Sequence, residues 1–331
     1  MATYKGINGY AVQTVASDPS PGDPGQVFYN TTSKAFEYTT EVQGAWATGG
    51  NLATGRRQIG GAGTQTLGLA IGGNPDLGGL AFTTSTEEYD GSSWTAGGAI
   101  PVGDFEMGAA GTQTSAVKFG GQIAPVGAVT NTTHEYDGTS WTVGGNLASA
   151  RSALGGCGTQ TVALGFGGIN PGSSPTRFVA TEEYDGTSWT SGGNLTTARL
   201  QFGSAGTQTA ALAAGGVDSS DSNIASTEEY DGTSWTAGGN LPEIRSQCAA
   251  AGLQTSALIF GGNPPSNRTT AAVYNGTSWT TGGNLITGRF QPGGAGTQTA
   301  GLAIGGDTST GVATEEFTGG PVNVNKTISF S

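Results

Sequence analysis

The stretch "TEEYDGTSWTSGGNLTTAR", Thr181 to Arg199, returns with small changes about every 47 residues. The tryptophans mark the period: Trp46, Trp94, Trp141, Trp189, Trp235 and Trp279, spaced 48, 47, 48, 46 and 44 residues apart. Repeats of this length are the signature of propeller blades. From each Trp the unit reads "WTxGGNLxxxR", "xxGGAGTQT", "LGLAIGG", a variable stretch, then "TEEYDGTSW". Each segment alternates like a strand, and Gly-rich turns separate the segments. In "TLGLAIGG", Leu67, Leu69 and Ile71 fall on one face, Gly68 and Ala70 on the other. Val162, Leu164 and Phe166 repeat the pattern, as do Ala300, Leu302 and Ile304. Such sheets stack bulky face on bare face, and around an axis they close without a long free edge. The "GGAG" segments suit the innermost strand, where backbones converge. Lys118 breaks the small-face rule, and the pattern offers no reason for it.

The composition agrees. The chain has 331 residues, 61 of them Gly, about 18% against a usual share of roughly 7%. There is no Gly-X-Y period, so collagen is excluded. A net charge of −12 argues against nucleic acid, which needs clustered Lys and Arg. No apolar run is long enough for a membrane helix, and the N-terminus lacks a signal-like apolar core, so no membrane insertion is expected. Cys157 and Cys248 sit in different repeats and registers, which suits buried free thiols better than a disulfide.

The double glycines (Gly72–Gly73, Gly120–Gly121, Gly167–Gly168, Gly215–Gly216, Gly261–Gly262, Gly305–Gly306), each with a downstream Tyr and Trp, resemble the kelch repeat. The likeness covers roughly residues 46 to 317 and implies an all-β, six-bladed propeller of four-stranded blades. The last unit, "TEEFTGG" at Thr314 to Gly320, lacks its Trp, while Trp46 lacks a preceding double-Gly strand. The segment around Trp46 is therefore expected to supply the outermost strand of the final blade, a closure that kelch propellers use. The expected division is an N-terminal attachment segment (1–44), the propeller (45–320) and a C-terminal strand (321–331). Within the first, Gly25 to Thr40 reads as a hairpin; in the last, Val322 to Phe330 alternates as a strand. The head "ATYKGINGYAVQTVASDPSPGDPG" resembles virion-associated proteins of marine and cyanobacterial bacteriophages, and the "YDGTSWTSGGNL" arrays look like their kelch-type fibres and adhesins. That likeness implies a location on the virion and docking to other virion proteins through the N-terminal segment.

Enzyme chemistry finds little footing. His134 is the single histidine, so a Ser or Cys nucleophile with a histidine base is not expected. The paired-histidine copper site of the galactose oxidase family cannot be assembled, and no metal or other cofactor is expected. A propeller glycosidase would need only two acids. Here the acids recur in register at Glu87–Glu88, Glu182–Glu183, Glu228–Glu229 and Glu315–Glu316, as blade parts do. Arginines recur before the inner strand, at Arg56, Arg151, Arg199, Arg245 and Arg289. In the second blade that position is Asp104, and the first Glu of the pair has become His134, an exchange that predicts contact between the two positions. The fifth blade, with Arg245 but Ala272–Val273, is a counterexample. The Asp of "YDG" (Asp90, Asp137, Asp185, Asp231) reads as a turn residue.

The turns "GTQT" and "YDGTSW" share one face of a propeller and are near copies. The segments joining strands two and three lie on the other face and vary, as binding loops on a rigid scaffold do. Within them Arg177, Phe178, Asp218, Asp221, Asn267 and Arg268 are the candidate partner-binding residues, since the blade pattern does not require them. Arg offers several donors and Phe a flat apolar face, which suits a host surface glycan or receptor, or another virion protein. The reading is a non-enzymatic virion binding protein. A propeller glycosidase or an intracellular kelch scaffold are its rivals.

Overall fold

The computed structural model of the protein describes residues 13–16, 27–42, 44–76, 80–173, 176–263, 268–319 and 322–328. Every regular element among them is a strand. The chain forms two compact units, Met1–Gly44 with Gly320–Ser331, and Ala45–Gly319.

In the first unit, Val27–Asn30 and Ala35–Val42 make an antiparallel hairpin in which Tyr29 faces Phe36. The turn is held by Asn30, whose side-chain oxygen accepts the amides of Thr32 (2.8 Å) and Ser33 (3.1 Å). Gln13–Val15 adds in parallel to one side, and Val322–Thr327 adds antiparallel to the other. Gln13–Val15 and Val322–Thr327, far apart in the sequence, are thus strands of one sheet. Most of the quoted head lies outside the described residues.

The second unit holds six four-stranded antiparallel sheets among its described residues. Their first strands are Gly60–Gly63, Gly108–Thr112, Gly155–Gly158, Gly203–Thr207, Ala249–Leu253 and Gly293–Gly296. We number the sheets 1 to 6 in that order. In sheet 1 the strands run Gly60–Gly63, Gly68–Ile71, Thr86–Tyr89 and Trp94–Ala96, and the next four follow suit. Sheet 6 takes its fourth strand from the beginning of the unit: Ala45–Thr48 pairs with Thr314–Thr318, Trp46 opposite Phe317. This is the strand exchange expected from the two incomplete repeats.

Each first strand lies against the first strand of the next sheet, and that of sheet 6 against that of sheet 1. The approach is close enough that a Cβ on Gly61 would stand 2.4 Å from the carbonyl oxygen of Gly294. The stacking of bulk on bareness is also present. Leu302 and Ile304 of sheet 6 pack with Ala70 and Tyr89 of sheet 1. A Cβ on Gly68 would meet the Leu302 side chain at 2.5 Å. Leu67 departs from the expected alternation: the strand begins at Gly68, and Leu67 sits exposed in the turn. Both cysteines are buried free thiols, and burial pushes Cys157 up to about 12 and Cys248 up to about 11.

Candidate functional site: the variable-loop face and its central mouth

Two sets of side chains join the sheets, and neither is free to bind a partner. In every "GTQT" turn the Gln amide donates to two backbone carbonyls of the preceding sheet. Gln113 reaches Gly68 (3.1 Å) and Tyr89 (2.6 Å), and Gln65 reaches Gly301 and Phe317, from sheet 1 back to sheet 6. The Tyr of each third strand donates to the second Glu of the sheet before: Tyr136 to Glu88, Tyr184 to Glu135 and Tyr230 to Glu183, each at 2.6 Å. Tyr274 reaches Glu229 and Tyr89 reaches Glu316, both at 2.5 Å. Burial and the carboxylate acceptor push these phenols up to about 12. The junction between sheets 5 and 6 is the exception, and both partners changed together: Phe317 replaces Tyr, Val273 replaces Glu, and the two share one apolar cluster. Val273 therefore does not bear on the Arg–Glu pairing, because the second Glu serves the neighbouring sheet, but Ala272, at the first-Glu position, leaves Arg245 without an acid and the fifth-sheet exception stands.

The first Glu serves its own sheet. Arg56 is fully buried and binds Glu87 at 2.8 Å, with Arg199 on Glu228 at 2.6 Å. Arg151 on Glu182 and Arg289 on Glu315 complete four such pairs. Each guanidinium also donates to the carbonyl of the first double-Gly residue and to the carbonyl ending the variable loop, as Arg56 does to Gly72 and Ser85. The clamp thus ties down both ends of a loop. Arg245 keeps the two carbonyls, Gly261 and Thr270, and takes the Thr270 hydroxyl in place of an acid.

Sheet 2 corrects the expectation about Asp104 and His134. The carboxylate of Asp104 is met by Lys118, not by His134, and both members of that pair are buried. Lys118 is paired across the strands with His134. The residue that broke the small-face pattern is the cation displaced from position 104 to the second strand. Burial raises Asp104 to about 6 against the pull of Lys118, and burial with the Lys118 charge lowers His134 to about 4.

The loop ends and the lead-in to each first strand lie together: Arg57 and Asn74 exchange backbone bonds of 3.0 and 2.8 Å. Two residues beyond each Arg or Asp position is a residue with positive φ, 54° to 58°: Gln58, Glu106, Ala153, Gln201, Gln247 and Gln291. Their backbones form a closed cycle. Gln58 donates to Gln291, Gln291 to Gln247, Gln247 to Gln201, Gln201 to Ala153, Ala153 to Glu106, and Glu106 back to Gln58, over 2.7–3.1 Å. Inside the cycle Glu106 Oε1 accepts from Gln58 Nε2 (2.8 Å) and from Gln201 Nε2 (2.9 Å), the latter reaching past Ala153. These residues line a mouth of about 90 Å³ over a collar of Ile59, Met107, Leu154, Phe202, Cys248 and Pro292. Below it a cavity of about 140 Å³ is lined from all six first strands. The signal was in the sequence, as Arg-x-Gln at four of the six positions with variants at Asp104 and Arg151: Arg56, Arg199, Arg245 and Arg289 each precede a Gln by two.

Of the six loop residues singled out by sequence, the structure brings two together: Arg177 pairs with Asp221 across neighbouring loops. Arg268 pairs with Glu243. Phe178 lies under the Arg151 guanidinium, 5.3 Å from its ring centre. Asp218 caps its own loop by accepting the amides of Ser220 and Ser222. Asn267 lies outside the described residues. The Asp of "YDG" is a turn residue: Asp90 accepts the amides of Ser92 and Ser93, and those bonds hold its carboxyl well below the usual range.

Neither a protein-family model nor a curated protein matches the chain. Solved structures do match, among them the "Structure of YjhT", and such a likeness bears on fold rather than function. It aligns with a TM-score of 0.66 at 15% identity, covering 81% of this chain and 95% of that one. With the six antiparallel sheets, this likeness gives the chain a β-propeller-like all-β fold.

Proposed function

We propose that the six sheets are the blades of a kelch-like propeller closed by the Ala45–Thr48 strand, and that the protein is a non-enzymatic virion component. It would be a tail fibre, tail-tip or surface-decorating adhesin. The N-terminal segment docks to other virion proteins, and the variable-loop face meets a host surface glycan or another virion protein. One observation carries this reading. The turn face commits its recurring Gln side chains to joining sheets, whereas the opposite face sets dissimilar loops, clamped at their bases, around a polar mouth. Catalysis fits less well, because Glu106 is the single acid of the central ring and glycoside hydrolysis takes two carboxyl groups.

The test is to add the purified chain to source particles and host cells. Excess soluble protein is expected to compete with particle attachment, and purified particles are expected to contain the chain by mass spectrometry. Particles free of it, or release of reducing sugar from host polysaccharide, would replace this reading with the scaffold or the glycosidase alternative.

A further inference from the structure

Resting on the reading of the loop face as the binding face, we infer that the ring at the central mouth is a site for a primary alkylammonium group, as a lysine side chain presents. Glu106 is the only ionisable side chain among the six ring residues. None of the ion pairs among the described residues includes it. Its Oε1 holds two amide donors, but Oε2 has only the Ser152 hydroxyl at 3.5 Å, the outer limit of a hydrogen bond. Gln291 Oε1, on the same mouth, is buried with no donor. Two acceptors of the mouth, Glu106 Oε2 and Gln291 Oε1, are therefore left largely unfilled, and the Glu106 carboxylate has no cation beside it among the described residues.

A protonated primary amine supplies what is missing: three N–H donors, no acceptor and one positive charge. A sugar hydroxyl brings an acceptor with each donor and leaves the charge uncompensated. A hard divalent ion would want a larger oxygen cage with more carboxylates than one. Below the ring, Ile59, Met107, Leu154 and Pro292 would strip a charge of solvent without replacing it, so the ammonium head stops at the ring. The narrow mouth admits an unbranched stem end-on.

The probe is n-butylammonium chloride, titrated into the full ¹⁵N-labelled chain at constant ionic strength, with n-butanol as the neutral isostere. The side-chain amide signals of Gln58 and Gln201 are expected to shift and saturate, with a dissociation constant of order 1 mM. n-Butanol should give no saturable shift, and Glu106→Gln should weaken butylammonium at least about tenfold. Linear shifts without saturation, an equal response to butanol, or unchanged affinity in Glu106→Gln would overturn the assignment. The butanol arm needs no variant, so the outcome stands even if Glu106→Gln unfolds. Because no host or particle is involved, saturable binding with normal attachment by ring and loop variants would sink the face assignment while leaving the ammonium site in place.

Discussion

On one face, Gln65, Gln113, Gln160, Gln208, Gln254 and Gln298 each donate to two carbonyls of the sheet before, six times in one geometry. On the other, Arg177 pairs with Asp221, Arg57 with Asp307 and Arg268 with Glu243, three arrangements with nothing in common but charge. The first face is fixed because every junction must meet the next with the same spacing. The second is free because a buried Arg clamp beneath it already holds five of the six loops at their bases, so the residues above can differ without opening the sheet. Joining of sheets and variation are thereby assigned to different ends of the same strands.

The sharpest way to break this contrast is to remove the strand that completes sheet 6. A chain lacking residues 1–52 loses Ala45–Thr48 and leaves Thr314–Thr318 as an open edge. Loss of cooperative unfolding, or oligomerisation, is expected in calorimetry and sedimentation. A chain that melts like the parent as a monomer would refute the closure.

Next in size is the clamp. Removing Lys118 leaves the Asp104 carboxylate buried and alone, as removing Arg289 leaves Glu315. Lys118→Ala and Arg289→Ala should each cost about 3–5 kcal/mol in urea unfolding. Asp104→Ala with Lys118→Ala should recover much of that loss. A small effect of the single changes would mean that the loops are not held this way.

A smaller effect follows from His134. Its folded pKa, about 4, lies below the ordinary 6.5, so the unfolded chain takes the proton first as pH falls. This group's contribution is present above pH 6.5 and is lost as pH falls through 6.5 toward 4. Asp104, raised to about 6, acts in the opposite sense between about 4 and 6. The wild type minus His134→Gln difference isolates the histidine, and should shift against the wild type by about 2 kcal/mol between pH 7 and pH 4. A difference independent of pH would remove His134 from the buried cluster.

Much of this was legible because repetition makes each deviation informative. The missing Trp after "TEEFTGG" and the lone Trp46 announced the strand exchange. The exchange of charge at Asp104 and His134 was visible too, but the partner was misassigned. Period-two alternation said that Lys118 was on the small face and could not say that its ammonium reaches position 104. Val273 misled for a related reason: its partner is one repeat away, and the compensating change, Tyr to Phe317, is seen only when neighbouring repeats are compared. The ring escaped notice because Gln is ordinary in loops, and positive φ at Gln58 and Glu106 has no mark in residue type. Side-chain pairing in variable loops has no period to reveal it, so Arg177 and Arg268 looked unengaged.

The most direct test of the division between faces is one paired measurement on Gln208→Ala and on Arg177→Ala with Arg268→Ala. Gln208→Ala removes two bonds to Ala163 and Tyr184 and should lower stability by about 1–3 kcal/mol, with attachment unchanged. The arginine pair breaks two partly exposed ion pairs and should change stability by about 1 kcal/mol or less while weakening attachment of the soluble chain to its target. If the Gln208 variant loses attachment while the arginine variant attaches like the parent, the binding face is the other one.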